Sequence, residues 1–221
     1  MLIYTIGCSI THGYGVGFEN SYPSLIKKYL KADVINDSKC GVGNDWIFHN
    51  ALENLFKLNN KPDLTIIQWS GPNRRTHMDL EGNEWLVTLH DHLHLHPKFE
   101  PMGSMHTIHY MFSLHSFLEQ NNIPYMFLNY MDLDESVKQL EVYKKIDWTK
   151  LLPINKDLMS SKKYIFDNVG HLNLDGQYYI VKSILEKNNI NNIIPDLVKT
   201  DKIQHLFEEL KYDNKPKKSL I

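Results

Sequence analysis

The sequence predicts an α/β domain, a parallel sheet covered by helices on both faces. Three observations lead there. First, short β-branched and apolar runs end in glycine or polar turns: Leu2 to Cys8, ADVIND (32–37), DLTIIQWS (63–70) and IPYMFLNY (123–130). Second, the stretches between them place apolar residues at helical spacing. Third, this strand–helix alternation requires crossover connections, and those bury a sheet on both sides. With 221 residues and 42% hydrophobic content, the chain is long enough for one substantial domain, and halving it would leave two small ones.

Each element has its own reason. Leu2 to Cys8 is bounded by Gly7 and reads as a buried first strand. Ser21 to Lys31 carries Tyr22, Leu25, Ile26, Tyr29 and Leu30 on one stripe, with Pro23 tolerated in the first turn. ADVIND is a short second strand, and SKCGVGND after it is a glycine-rich turn. Asp45 to Leu58 is helical, with Trp46, Ile47, Ala51, Leu55 and Leu58 in register. DLTIIQWS is the strongest strand, entered through Pro62 and left through Ser70-Gly71-Pro72. Residues 76–104 have weak periodicity and many histidines, and read as an insert that forms a lid or wall. Met105 to Gln120 reads as a helix, IPYMFLNY as a strand, and 132–163 as short helical pieces and loop. Leu174 to Lys187 and Lys202 to Leu210 read as helices. The domain is expected to span 1–210, with 211–221 as a frayed tail.

The composition excludes several function classes. The formal net charge is −2, and the basic run KPKKS lies in the tail, so no basic face for nucleic acid is expected. No apolar stretch reaches the roughly 20 residues that span a bilayer. The N-terminal run reads as a strand rather than a signal peptide. Two cysteines do not make a disulfide scaffold, so a reducing, cytoplasmic setting is expected.

In a parallel sheet, ligands bind outside the carboxyl ends of the strands, where strand order reverses. Three turns leave such ends: Gly7-Cys8-Ser9, the turn at Gly41 to Asn44, and Gly71-Pro72-Asn73. Far downstream, FDNVGHLNLDGQ offers Asp167 and His171 before a helix. Together these are the parts of an acyl-transfer site. A serine hydroxyl needs a neighbouring base, an imidazole is suited to that role, a carboxylate orients the imidazole, and N–H donors hold the oxyanion. Taken singly, each residue has a plainer reading. Ser9 suits a helix cap, Gly41 a positive φ, Asn73 a turn, and Asp167 and His171 a helix-entry loop.

The set resembles the SGNH (GDSL-like) hydrolases, whose motif blocks occur in this order along the chain from Gly7 to about Gln177. The first block is Gly7-Cys8-Ser9, with Cys8 where the family has Asp. The second supplies Gly41, with Gly43 as a possible substitute. The third is Gly71-Pro72-Asn73-Arg74, with Arg74 in place of Asp. The last is Asp167 to His171, one residue longer than the family spacing. The resemblance implies a three-layer α/β/α fold with a flavodoxin-like parallel sheet. It implies Ser9 as nucleophile, His171 as base, Asp167 as orienting acid, and an oxyanion hole from Ser9, Gly41 and Asn73. It implies hydrolysis of a small carboxylic ester without a cofactor. The polar edge favours an O-acetyl or short acyl group on a polar or carbohydrate carrier. Family activities also include acyl transfer and lysophospholipid hydrolysis, and a binding protein that kept the fold is the rival from another class.

Other residues carry secondary readings. Arg74 and Arg75 suit an anionic substrate group or surface pairing. His12 lies in the nucleophile turn and is a substrate-contact candidate. Cys8 sits one residue nearer the strand than Ser9 and reads as a packed, inert thiol; proximity to Cys40 is left open. LHDHLHLHP places His90, His92, His94 and His96 on one face of an extended strand, a pattern that suits a transition metal but lacks partner ligands.

Overall fold

The computed structural model describes residues 1–78, 84–88, 100–154, 163–165 and 170–186. Strands β1 (Leu2–Ile6), β2 (Asp33–Asn36), β3 (Leu64–Trp69), β6 (Tyr125–Asn129) and β7 (Leu151–Pro153) form a five-stranded sheet in the order β2-β1-β3-β6-β7. Every pairing in it is parallel. This is the flavodoxin-like order anticipated from the sequence.

The core shows why the strands read as continuous apolar runs. All six residues of β3 and all five of β6 are buried. Their side chains alternate between two cores. Ile3, Leu64, Ile66, Met126 and Leu128 join one, packed under α2 (Tyr22–Leu30) and a C-terminal helix, Leu174–Glu186. Tyr4, Ile6, Ile67, Trp69, Tyr125 and Phe127 join the other, under α3 (Asn44–Lys57) and α4 (Glu100–Gln120). Two cores on opposite faces of one sheet make the three layers.

Three elements differ from the sequence expectation. The polar stretch after Asn73 forms an antiparallel hairpin, β4 (Arg74–Met78) with β5 (Glu84–Thr88). Helix α4 starts at Glu100, five residues before Met105, despite Pro101 and Gly103. Proline is tolerated in a first helical turn. Gly103 is required by contact: a Cβ there would come within 2.5 Å of the Pro72 carbonyl oxygen. Finally, β7 adds an edge strand within the segment expected to be loop and short helix; the helical pieces there include α5 (Glu141–Lys144). The C-terminal helix, α6 hereafter, begins at Leu174 as expected. The remainder of the histidine-rich insert, the expected helix at 202–210 and the tail at 211–221 lie outside the described residues.

The chain leaves β1 toward β2 on one side, while β3 lies on the other. Strand order therefore reverses between β1 and β3, and a crevice opens past their carboxyl ends. Among the described residues, no helix is long and apolar enough to cross a membrane.

Candidate active site

The crevice holds a cleft lined by Cys8, Ser9, Ile10, Ser70, Gly71, Arg74, Tyr130, Met131, Gly170 and His171. Ser9 arrives from β1. Cys8 is extended and Ser9 opens a single helical turn, α1 (Ser9–His12), which Gly13 ends in left-handed conformation at φ 85°. The N–H groups that start a helical turn have no intrahelical acceptor, which leaves the Ser9 N–H without one. Ser9 itself is buried, with its Oγ 3.9 Å from the Cys8 sulfur.

A buried glutamine holds this turn. Gln68 of β3 accepts at Oε1 from the Cys8 N–H (3.1 Å), the Cys8 thiol (3.2 Å) and the Thr11 hydroxyl (3.0 Å). Its amide nitrogen donates to the Trp69 carbonyl. The amide orientation is thus fixed by two backbone groups, one donor and one acceptor. Gly7 makes room for the network, since a Cβ there would lie 2.2 Å from Thr11 Oγ1. On the far side, Gln177 of α6 donates to the Ile10 carbonyl at 3.1 Å and accepts from the Tyr22 N–H at 2.9 Å. The Ser9 turn is clamped from both neighbouring elements.

His171 comes from the loop before α6. Asn173 begins that helix, its Oδ1 accepting from the Gly176 N–H at 3.0 Å. Gly170, at φ 87°, turns the chain into the cleft, and the Tyr130 hydroxyl at the end of β6 donates to its carbonyl. The His171 ring packs on Tyr14, centroids 4.4 Å apart and planes at 43°. Gly13 and Gly15 flank Tyr14, and both have positive φ, near 85°.

The structure therefore brings Ser9, His171 and Arg74 into one cleft. It distributes the other sequence candidates around it. Asn73 closes the turn after β3 and its Oδ1 is buried against Gly103 without a hydrogen-bond partner. Gly41 has the expected positive φ of 80°. The Gly43 N–H is taken by the Thr76 hydroxyl at 2.8 Å, and neither Gly41 nor Gly43 is among the residues that line the cleft. His12 pairs through Nδ1 with the Ser38 carbonyl at 3.2 Å and packs on Phe18, off the cleft. Arg75 pairs with His106 of α4. Asp167 lies outside the described residues, as do His90, His92, His94 and His96. Among the described residues, no group of three or more His, Cys, Asp or Glu could hold a metal ion.

Both cysteines are free thiols, Cys8 buried and Cys40 exposed. Burial, and then the neighbouring Cys8, pushes the Cys40 thiol up from its ordinary value. Three supporting residues had no place among the sequence candidates: Gln68, Tyr130 and Tyr14. A polar residue inside the apolar run of β3 is the signal for the first, and an aromatic between two glycines the signal for the last.

No family model and no curated protein matches the sequence. Solved structures do. A psychrotrophic esterase, EstA from Pseudoalteromonas sp., inhibited by monoethylphosphonate, aligns with a TM-score of 0.57 at 13% identity, covering 84% of this chain and 95% of that one. TesA aligns at 0.59 and 13%, covering 88% and 100%. A member of the lipolytic protein G-D-S-L family from Veillonella parvula aligns at 0.51 and 14%, covering 84% and 97%. At these identities the likeness is one of fold: with its parallel five-stranded sheet and helices, the chain has the fold of the SGNH (GDSL-like) hydrolases.

Proposed function

We propose that the chain is a serine hydrolase that cleaves a small carboxylic ester, with Ser9 as nucleophile and His171 as base. One observation carries this reading: Ser9 and His171, from opposite ends of the chain, line the same cleft at the point where strand order reverses. Ester hydrolysis in the neighbouring folds is consistent with it.

The proposed chemistry runs in two halves. Ser9 Oγ attacks the ester carbonyl while His171 takes its proton. The tetrahedral oxyanion is held by the N–H groups of Ser9 and Gly41 and by the Asn73 amide. The imidazolium returns the proton to the leaving alcohol, and the acyl group stays on Ser9. Water, deprotonated by His171, then releases the acid and regenerates the serine. Asp167 is the proposed orienting acid for the imidazole. Ile10 and Met131 wall the cleft beside Ser9, which suits a short acyl group such as acetyl, with a polar or carbohydrate carrier at the open edge.

Hydrolysis of 4-nitrophenyl acetate against longer acyl esters tests this reading. Turnover that falls with chain length and is abolished in Ser9→Ala supports it. A residual rate in Ser9→Ala equal to wild type rejects it. Ligand binding without turnover, unchanged in Ser9→Ala, points instead to a binding protein on the same fold. Product carrying the acyl group on an added alcohol identifies an acyltransferase.

A further inference from the structure

From the cleft, we infer that the ester this site acts on carries an anionic group, a carboxylate or phosphate, which Arg74 and Ser70 bind beside the reacting carbonyl. The inference rests on the serine-hydrolase reading and names the substrate class for that same site.

Arg74 closes the turn after β3, its N–H donating to the Gly71 carbonyl at 3.0 Å, and it pairs with Thr88 as the first residue of β4. The side chain therefore starts from a fixed point on the rim. It is half-buried and lines the same cleft as Ser9 and His171. The side chain runs beside Gly71, where a Cβ would be in ordinary contact with Arg74 Cγ at 3.9 Å and Nε at 4.0 Å and would crowd only Met131 Sδ, at 2.9 Å.

Among the described residues the charge has no internal partner. Arg74 forms no ion pair among the described residues, and its only side-chain hydrogen bond runs from one terminal nitrogen to Ser70 Oγ at 3.3 Å. A guanidinium offers five N–H donors in a planar fork. A partly buried charge without a counter-charge is costly, and an oxyanion seated in the fork relieves that cost with charge-assisted bonds. Arg75 is a different case, since its guanidinium is spent on His106 and on the Arg74 carbonyl.

Ser70 supplies the second, independent observation. It is only 2% exposed and lines the cleft. Asn44 holds it at both backbone groups: the Ser70 N–H donates to Asn44 Oδ1 at 2.7 Å, and Asn44 Nδ2 donates to the Ser70 carbonyl at 3.1 Å. Its Oγ accepts from Arg74, so the hydroxyl proton, which has no acceptor among the described residues, is left to donate. The unused guanidinium N–H groups and the Ser70 O–H converge as donors around a positive charge, which favours a charged, acceptor-rich oxyanion.

Two matched ester pairs test the inference: 4-acetoxybenzoate with its methyl ester, and 4-nitrophenyl hemisuccinate with 4-nitrophenyl methyl succinate. They place the carboxylate on the leaving group or on the acyl group. The expected result is a kcat/KM at least about tenfold higher for the anionic member of one pair, the scale of a charge-assisted bond. Arg74→Gln erases that preference through KM and leaves the neutral ester within about threefold, Arg74→Lys retains part of it, and Arg75→Gln keeps it. Competition by monomethyl succinate or by inorganic phosphate shows which oxyanion is held. No preference in either pair, or an equal loss on both members in Arg74→Gln, overturns the inference. If wild type cleaves none of the four, the hydrolase reading fails, and the anion site is decided by melting temperature. A rise with millimolar monomethyl succinate or phosphate that Arg74→Gln abolishes sustains it, and no rise overturns it.

Discussion

The Cys8 thiol donates to the side-chain oxygen of Gln68 at 3.2 Å, and the Cys8 N–H donates to the same atom at 3.1 Å. This pair accounts for the departure of Gly7-Cys8-Ser9 from a Gly-Asp-Ser motif. Gln68 Oε1 is a committed acceptor because its amide nitrogen is tied to the Trp69 carbonyl. A carboxylate at position 8 would set acceptor against acceptor in a site that is 2% exposed at Cys8 and fully buried at Gln68. A thiol, which can donate, fits.

The expected outcome is that Cys8→Asp destabilises the fold by about 2–4 kcal/mol, the range for an unpaired buried polar or charged group. Cys8→Ala forfeits one weak hydrogen bond and costs about 1 kcal/mol. Urea unfolding of the two variants checks the order. Equal stability of Cys8→Asp and wild type would contradict the role given to Gln68.

Tyr14 packs on the His171 ring. If His171 serves as the proposed base, an aromatic face over its ring would stabilise the cation formed during turnover by about 0.5–1 kcal/mol at an exposed site. Tyr14→Leu is therefore expected to lower kcat about two- to fivefold with KM little changed, and Tyr14→Phe to restore it. Steady-state kinetics on one neutral ester decides this. A KM effect alone would make Tyr14 a substrate contact instead.

Arg75 and His106 form a pH-sensitive joint between β4 and α4. The guanidinium donates to His106 Nδ1, so the bond needs the neutral imidazole. Burial, then Arg75, then His109 hold His106 below the ordinary histidine value of 6.5. A depressed value in the fold means that the contribution is fully present above 6.5 and is lost as pH falls through the folded value. NMR titration of the His106 ring is expected to give a midpoint below 6.5 that rises in Arg75→Gln. An unchanged midpoint would remove Arg75 as a cause.

Much of this molecule was legible from residues alone, and the exceptions have physical reasons. β3 announces itself because a strand buried on both faces must be apolar throughout, and LTIIQW is apolar but for Thr65 and Gln68. Ser9 and His171 were legible through motif order and strand-end placement. β7 was not, because a three-residue edge strand ending in Pro153 has too few positions to show a period. The β4–β5 hairpin was hidden by its polar strand, Arg-Arg-Thr-His-Met. The first turn of α4 was hidden by Pro101 and Gly103, and Gly103 answers to Pro72 and Asn73 across the turn rather than to the helix itself. The division of labour between Arg74 and Arg75 was invisible because the partner, His106, lies on another element.

The central claim is that Ser9 is an activated nucleophile, and its most direct test is covalent. The protein is treated with a fluorophosphonate probe and weighed intact beside Ser9→Ala, His171→Ala and Cys8→Ala. The account predicts a single adduct on wild type and on Cys8→Ala, none on Ser9→Ala, and strong suppression in His171→Ala. A folded wild type that takes up no probe, or an adduct that survives Ser9→Ala, would contradict it.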